Sequence, residues 1–109
     1  MSGEPSGTAR RQVKVADAAE IDEGKSKTVV VEGRTVALFK VNNEYFAINN
    51  PCLHRGGPLG EGELDGFEVI CPWHGWRYNL RTGSLSLIPT LKEKVYPVKL
   101  VGTSIFVEV

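Results

Sequence analysis

The residues that most restrict this chain are its cysteines and histidines. There are two of each in 109 residues, and all four fall into two short runs, Cys52-Leu53-His54 and Cys71-Pro72-Trp73-His74. The pattern is C-x-H, sixteen intervening residues, then C-x2-H, so each run offers one thiolate and one imidazole. A fold that uses them together must bring two separate loops to one place. Two cysteines on one iron and two histidines on the other would suit a sulfide-bridged pair of irons. A tetrahedral zinc ion accepts the same four donors, although structural zinc sites usually open with cysteines two to four residues apart.

The rest of the sequence supplies short strands and tight turns. Stretches rich in Val, Ile, Phe and Tyr alternate with Gly, Asn and Pro, and no segment shows a helical apolar stripe. Strands are expected at Val13 to Val15, Lys27 to Val31, Thr35 to Val41, Glu44 to Asn49, Phe67 to Ile70, Trp76 to Asn79, Ser84 to Leu87, Val95 to Val101 and Ser104 to Val109. Glu32-Gly33 and Asn42-Asn43 read as hairpin turns, with Thr82-Gly83 and Gly102-Thr103 as further turns. The fold class that follows is all-β, an antiparallel sandwich or small barrel. Two segments, at about 50–62 and 71–76, interrupt the strand rhythm, and these hold the cysteines and histidines. Ile88 to Leu91 is a third irregular stretch, in which Pro89 suits a rigid turn.

Length and charge set the remaining bounds. A chain with 41% hydrophobic residues can bury one modest core, so one domain over 11–109 is the default. Residues 1–10 are rich in Ser, Gly and Pro and read as a disordered tail. Thirteen basic residues balance thirteen acidic ones, which argues against a nucleic-acid partner. No window approaches the roughly 20 apolar residues of a membrane span, and the N-terminus lacks a signal-peptide core. A cytoplasmic location is therefore expected, where paired cysteines serve metal binding or catalysis more often than disulfides.

The runs CLHRGGPLGEG and CPWHGWRYNLRTG resemble the two binding loops of Rieske iron–sulfur proteins, and the flanking β pattern is similar to that of Rieske ferredoxins. The resemblance implies a Rieske-type [2Fe–2S] cluster, with Cys52 and Cys71 on the inner iron and His54 and His74 on the outer, more exposed one. Glycines such as Gly56, Gly57, Gly60 and Gly75 let backbone wrap closely around such a group, with Gly60 and Gly62 read as ordinary turn glycines. Leu53, Pro58, Leu59, Pro72 and Trp73 are expected to shield it from water, and Pro89 to cap it. Trp76 reads equally as a core aromatic, and Arg55 as a partner contact or a solvated surface residue.

Replacing two thiolates by neutral imidazoles makes an added electron less costly, and Rieske centres span about −150 to +300 mV. High-potential members carry an extra cysteine in each loop and a serine after the second His-Gly. This chain has neither, since Trp73 and Trp76 stand at those places, so a midpoint in the lower half of the range is expected. The resemblance to dioxygenase ferredoxins implies a one-electron carrier, not catalytic alone, between a flavin-dependent reductase and a terminal oxygenase. Small subunits of NADH-dependent nitrite reductase are similar in length and loops, which makes the large subunit of such a reductase the alternative partner. A zinc-stabilised interaction module is the alternative of another class. Glu61, Glu63, Asp65 and Glu68 form an acidic group between the loops that could meet a basic reductase or simply face water.

Overall fold

The computed structural model describes residues 11–53, 56–73 and 75–109. The expected tail at 1–10 lies outside them. Among the described residues ten strands form three antiparallel sheets: β1 (Gln12–Asp17), β2 (Ser26–Val31), β3 (Arg34–Val41), β4 (Glu44–Asn49), β5 (Glu63–Asp65), β6 (Glu68–Ile70), β7 (Arg77–Asn79), β8 (Val95–Tyr96), β9 (Val98–Val101) and β10 (Ser104–Glu108). The sheet orders are β1-β10-β9, β2-β3-β4-β8 and β5-β6-β7. Among the described residues there is no α-helix, and two 3-10 turns sit at Ala18–Glu20 and Leu59–Glu61.

The turns explain why the first hairpins form where they do. Glu32 and Gly33 have φ of 51° and 81°, and Asn42 and Asn43 have 56° and 63°. Two successive residues in the left-handed region give the turn whose twist matches a two-residue hairpin. They set β2 against β3, with Val31 opposite Arg34, and β3 against β4, with Val41 opposite Glu44.

The central sheet is buried on both faces, and β3 shows it most plainly: Val36, Ala37, Leu38 and Phe39 are all buried. Alternation sends Val36 and Leu38 to one side and Ala37 and Phe39 to the other. The first pair joins Val29, Val31, Ala47, Tyr96, Ile105 and Val107 in a core closed by the β1-β10-β9 sheet. The second pair joins Ile48, Cys52, Leu59, Val69, Cys71, Tyr78, Leu80 and Leu85 in a core closed by β5-β6-β7. The two cores therefore share one sheet, and both cysteines lie in the second.

Three strand expectations need correction. The stretch expected from Val95 to Val101 is two strands, because Pro97 has no N–H to give the ladder. Ser84 to Leu87 is not a strand but makes two isolated bridges, Ser84 to Lys92 and Leu85 to Tyr78. Beyond it, residues 86–91 swing out, and Leu87, Ile88 and Leu91 are exposed. The missed strand is β5, whose sequence Glu-Leu-Asp offers one apolar side chain. It is held by its pairing with β6 through the turn at Gly66, φ 61°.

Candidate metal centre

The two cysteine loops repeat one backbone frame. The Cys52 N–H donates to the Gly57 carbonyl at 2.8 Å, and the Gly56 N–H donates back to the Cys52 carbonyl at 2.8 Å. In the second loop the Cys71 N–H donates to the Trp76 carbonyl at 2.7 Å, and the Gly75 N–H to the Cys71 carbonyl at 2.9 Å. Gly56 and Gly75 both have φ of 76°, a conformation that disfavours any side chain. The shared signal in the sequence is a glycine four residues after each cysteine, which the reading of glycines as general wrapping residues did not single out.

The loops also interlock. A Cβ added at Gly57 would lie 2.8 Å from the Cys71 sulfur and 3.0 Å from Trp73 Cγ, so bare backbone of the first loop fills the space beside the second loop's thiol. Trp73 covers this junction while remaining 55% exposed. The first loop is anchored to the central sheet beyond it: Ser26 Oγ donates to the Gly60 carbonyl at 2.6 Å, and the Gly60 N–H donates to Asn50 Oδ1 at 2.7 Å. Gly60 and Gly62 lie in and just after the 3-10 turn, as expected, but the turn alone does not require glycine. Neither has positive φ, and a Cβ would collide with Thr28 Oγ1 at the first and with the Ile70 carbonyl at the second. Close approach is what requires glycine there.

Cys52 and Cys71 are buried, free of any disulfide, and packed in one core. His54, Arg55 and His74 lie outside the described residues. Leu53 is 47% exposed beside its buried neighbour. Trp76 is half-buried, packs against the second core, and holds Cys71 through its carbonyl, so it acts as a core aromatic and a loop clamp together. Pro89 stands exposed in the turn from Ile88 to Leu91, which the Leu91 N–H closes onto the Ile88 carbonyl at 2.9 Å.

Tyr78 is the site residue that sequence reasoning missed. Its hydroxyl lies 3.0 Å from the Cys52 sulfur and accepts the Leu53 N–H at 3.1 Å. When Cys52 is a thiolate it can only accept, so the Tyr78 O–H donates to it. Burial, and then the neighbouring Cys52, push the Tyr78 hydroxyl well above its ordinary range, so it keeps its proton. The signal was its place on β7, where Arg77 and Asn79 flank an inward-facing tyrosine whose hydroxyl must find a partner in the core.

The acidic group is partly spent within the fold. Arg77 pairs with Asp65 at 2.8 Å and with Glu68 at 3.3 Å, and Ser86 Oγ donates to Glu68 at 2.7 Å.

Comparison with known proteins decides the family. The model of the Rieske [2Fe-2S] domain matches residues 11–104. The chain belongs to the Rieske [2Fe–2S] family. The ferredoxin component of the naphthalene 1,2-dioxygenase system of Pseudomonas aeruginosa is 37% identical over 90 residues, covering 82% of this chain and 86% of that protein. The ferredoxin of carbazole 1,9a-dioxygenase from Nocardioides aromaticivorans IC177 superposes with a TM-score of 0.82 at 30% identity, covering 88% of this chain and 95% of that one. A chain in a complex of reduced oxygenase and oxidized ferredoxin of carbazole 1,9a-dioxygenase gives a TM-score of 0.81 at 30% identity, covering 88% and 91%. This Rieske protein is thus an electron-transfer component of the ferredoxin kind, with one [2Fe–2S] cluster as its cofactor and without catalysis of its own. The described residues suit that group: two buried thiols share one core, and glycine at 57 keeps a side chain off the Cys71 sulfur.

Proposed function

We propose that Cys52 and Cys71 hold one iron of the cluster and His54 and His74 the other. The loaded protein then carries single electrons from a flavin-dependent reductase to a terminal oxygenase. The observation that carries the reading is the interlock at Gly57, which brings backbone bonded to Cys52 against the Cys71 sulfur. Bound there, the cluster supplies one-electron redox chemistry at a potential set by its ligands and by hydrogen bonds to its sulfurs. The chain's own residues do the rest. Tyr78 donates to the Cys52 sulfur, Trp73 keeps water from the junction, and the paired backbone bonds at Cys52 and Cys71 fix both loops before an electron arrives.

Leu53 and Trp73 expose apolar surface next to the thiol positions, a suitable contact for a partner that must come close to the cluster and then leave. The cytoplasm, where thiols stay reduced until iron and sulfide are inserted, suits both cysteines. Electron paramagnetic resonance of the dithionite-reduced protein tests the ligand set. Mixed cysteine and histidine ligation gives a lower average g value than four cysteines, and an all-cysteine spectrum or an iron-free, zinc-loaded protein would remove the reading. Stable co-purification with a large sirohaem protein would assign the chain as a reductase subunit instead of a free carrier.

A further inference from the structure

Among the described residues one charged side chain is buried, and it is not part of the thiol loops. Glu93 is 5% exposed. Its backbone is clamped between two elements: the Glu93 N–H donates to the Gly83 carbonyl at 2.8 Å, and the next carbonyl, of Lys94, accepts the Asn49 N–H at 2.9 Å. The carboxylate accepts hydrogen bonds from the Lys94 N–H and the Asn49 side-chain amide. The amide can serve it because Asn49 Oδ1 is already taken by the Tyr96 hydroxyl at 2.5 Å. The second oxygen, Oε2, has no hydrogen-bond partner among the described residues.

Asn49, at the end of β4, bonds the carboxylate, and Lys92 and Lys94 flank it in the chain. Tyr78 on β7 is reached through the stretch that clamps Glu93: the Gly83 carbonyl holds the Glu93 N–H, and two residues on Leu85 bridges Tyr78. Neither lysine neutralises Glu93: both are exposed, and the Lys94 ammonium lies over the Tyr96 ring at 5.0 Å. A buried carboxylate without a cation loses solvation that its two hydrogen bonds restore in part. Burial raises its pKa to about 7. Its charge also acts on the Tyr78 hydroxyl, the group bonded to the Cys52 sulfur.

We propose that Glu93 is a redox-linked proton site: it takes one proton from solvent when the cluster gains an electron, and returns it when the electron leaves. The proposal rests on the cluster reading above. The charges balance. Two ferric ions, two sulfides and two thiolates sum to zero, so with ionised Glu93 the buried region carries one negative charge. One electron from the reductase makes the cluster negative, and one proton from water makes the Glu93 carboxyl neutral, so the total is again one negative charge. Without the proton, two buried like charges would both act on the Tyr78 hydroxyl.

The test is the midpoint of the loaded protein against pH, by film voltammetry, for wild type and Glu93→Gln. In wild type the reduction equilibrium should become about threefold less favourable between about pH 6 and pH 8, the size of a half-unit shift in one coupled carboxyl. In E93Q the same interval should be flat. A flat wild-type curve, or an unchanged slope in E93Q, overturns the proposal. Should E93Q fail to fold or load, reduced-minus-oxidised infrared difference spectra of wild type decide. A protonated carboxyl band must grow on reduction and shift in heavy water, and its absence refutes the proposal. A loaded protein that fails these tests sinks this proposal alone, whereas a wild-type protein without the mixed-ligand resonance sinks the cluster reading beneath it.

Discussion

The two cores on either side of the central sheet are built from alternate residues of the same strands, yet they have different contents. The buried members of the core that receives Val36 and Leu38 are hydrocarbon apart from the Tyr96 hydroxyl, which is satisfied by Asn49. The core that receives Ala37 and Phe39 also takes both thiols and the Tyr78 hydroxyl. One strand can serve two unlike interiors because period-two alternation separates its faces completely. The first core is therefore expected to determine stability and the second to determine the redox properties, with the Glu93 charge acting on the Tyr78 hydroxyl of the second.

Substitutions on each side can break this division. Cys71→Ser should abolish cluster loading, read as loss of the visible and paramagnetic signals, because serine offers no thiolate. In the opposite core, Leu38→Ala should cost about 3 kcal/mol in urea unfolding while leaving the midpoint of the loaded protein unchanged. A shifted midpoint there would show that the cores are not independent.

Glu93 should report on both. Its folded pKa of about 7 lies above the ordinary 4.5, so the folded state holds the proton more tightly than the unfolded chain. The stability this provides is complete below about pH 4.5 and is lost as pH rises through about 7. Glu93→Gln should remove that dependence, making the variant more stable than wild type at pH 8 by on the order of 3 kcal/mol.

Within the second core, Gly57→Ala and Gly75→Ala separate contact from conformation. The first places a methyl against the Cys71 sulfur and should cost about 2 kcal/mol, with weakened cluster retention. The second meets nothing within 4 Å and should cost only the roughly 1 kcal/mol of a left-handed alanine. The smallest effect belongs to Tyr78→Phe. Losing the donor to the Cys52 sulfur should lower the midpoint by about 40 mV, equivalent to roughly 1 kcal/mol for one electron, from a wild-type value in the lower half of the Rieske range.

Much of this was legible in the sequence because its signals are local. Two-residue turns at Glu32-Gly33 and Asn42-Asn43 determine their own hairpins, and four rare donors in two short runs mark a site. What escaped notice depends on packing. Nothing within Glu63–Asp65 identifies β5 until β6 lies beside it. Gly60 looks like any loop glycine until Thr28 closes on it. Tyr78 and Glu93 gain their chemistry from neighbours distant in sequence, Cys52 for one and Asn49 for the other.

β4 and β8 are adjacent strands of one sheet, with Ala47 opposite Tyr96 and Ile48 opposite Val95, yet the whole segment with both cysteine loops lies between them in the chain. The Asn49 N–H bonded to the Lys94 carbonyl closes the neck of that excursion. The polypeptide leaves the body and re-enters it through a single doorway, so the appendage can lengthen, shorten or be exchanged for another without re-threading the strands that remain. A graft that joins residue 49 to residue 94 by a short turn would strip the cover from Ala37, Phe39 and Ile48, so the remaining β body would need polar residues at those three places to stay in solution.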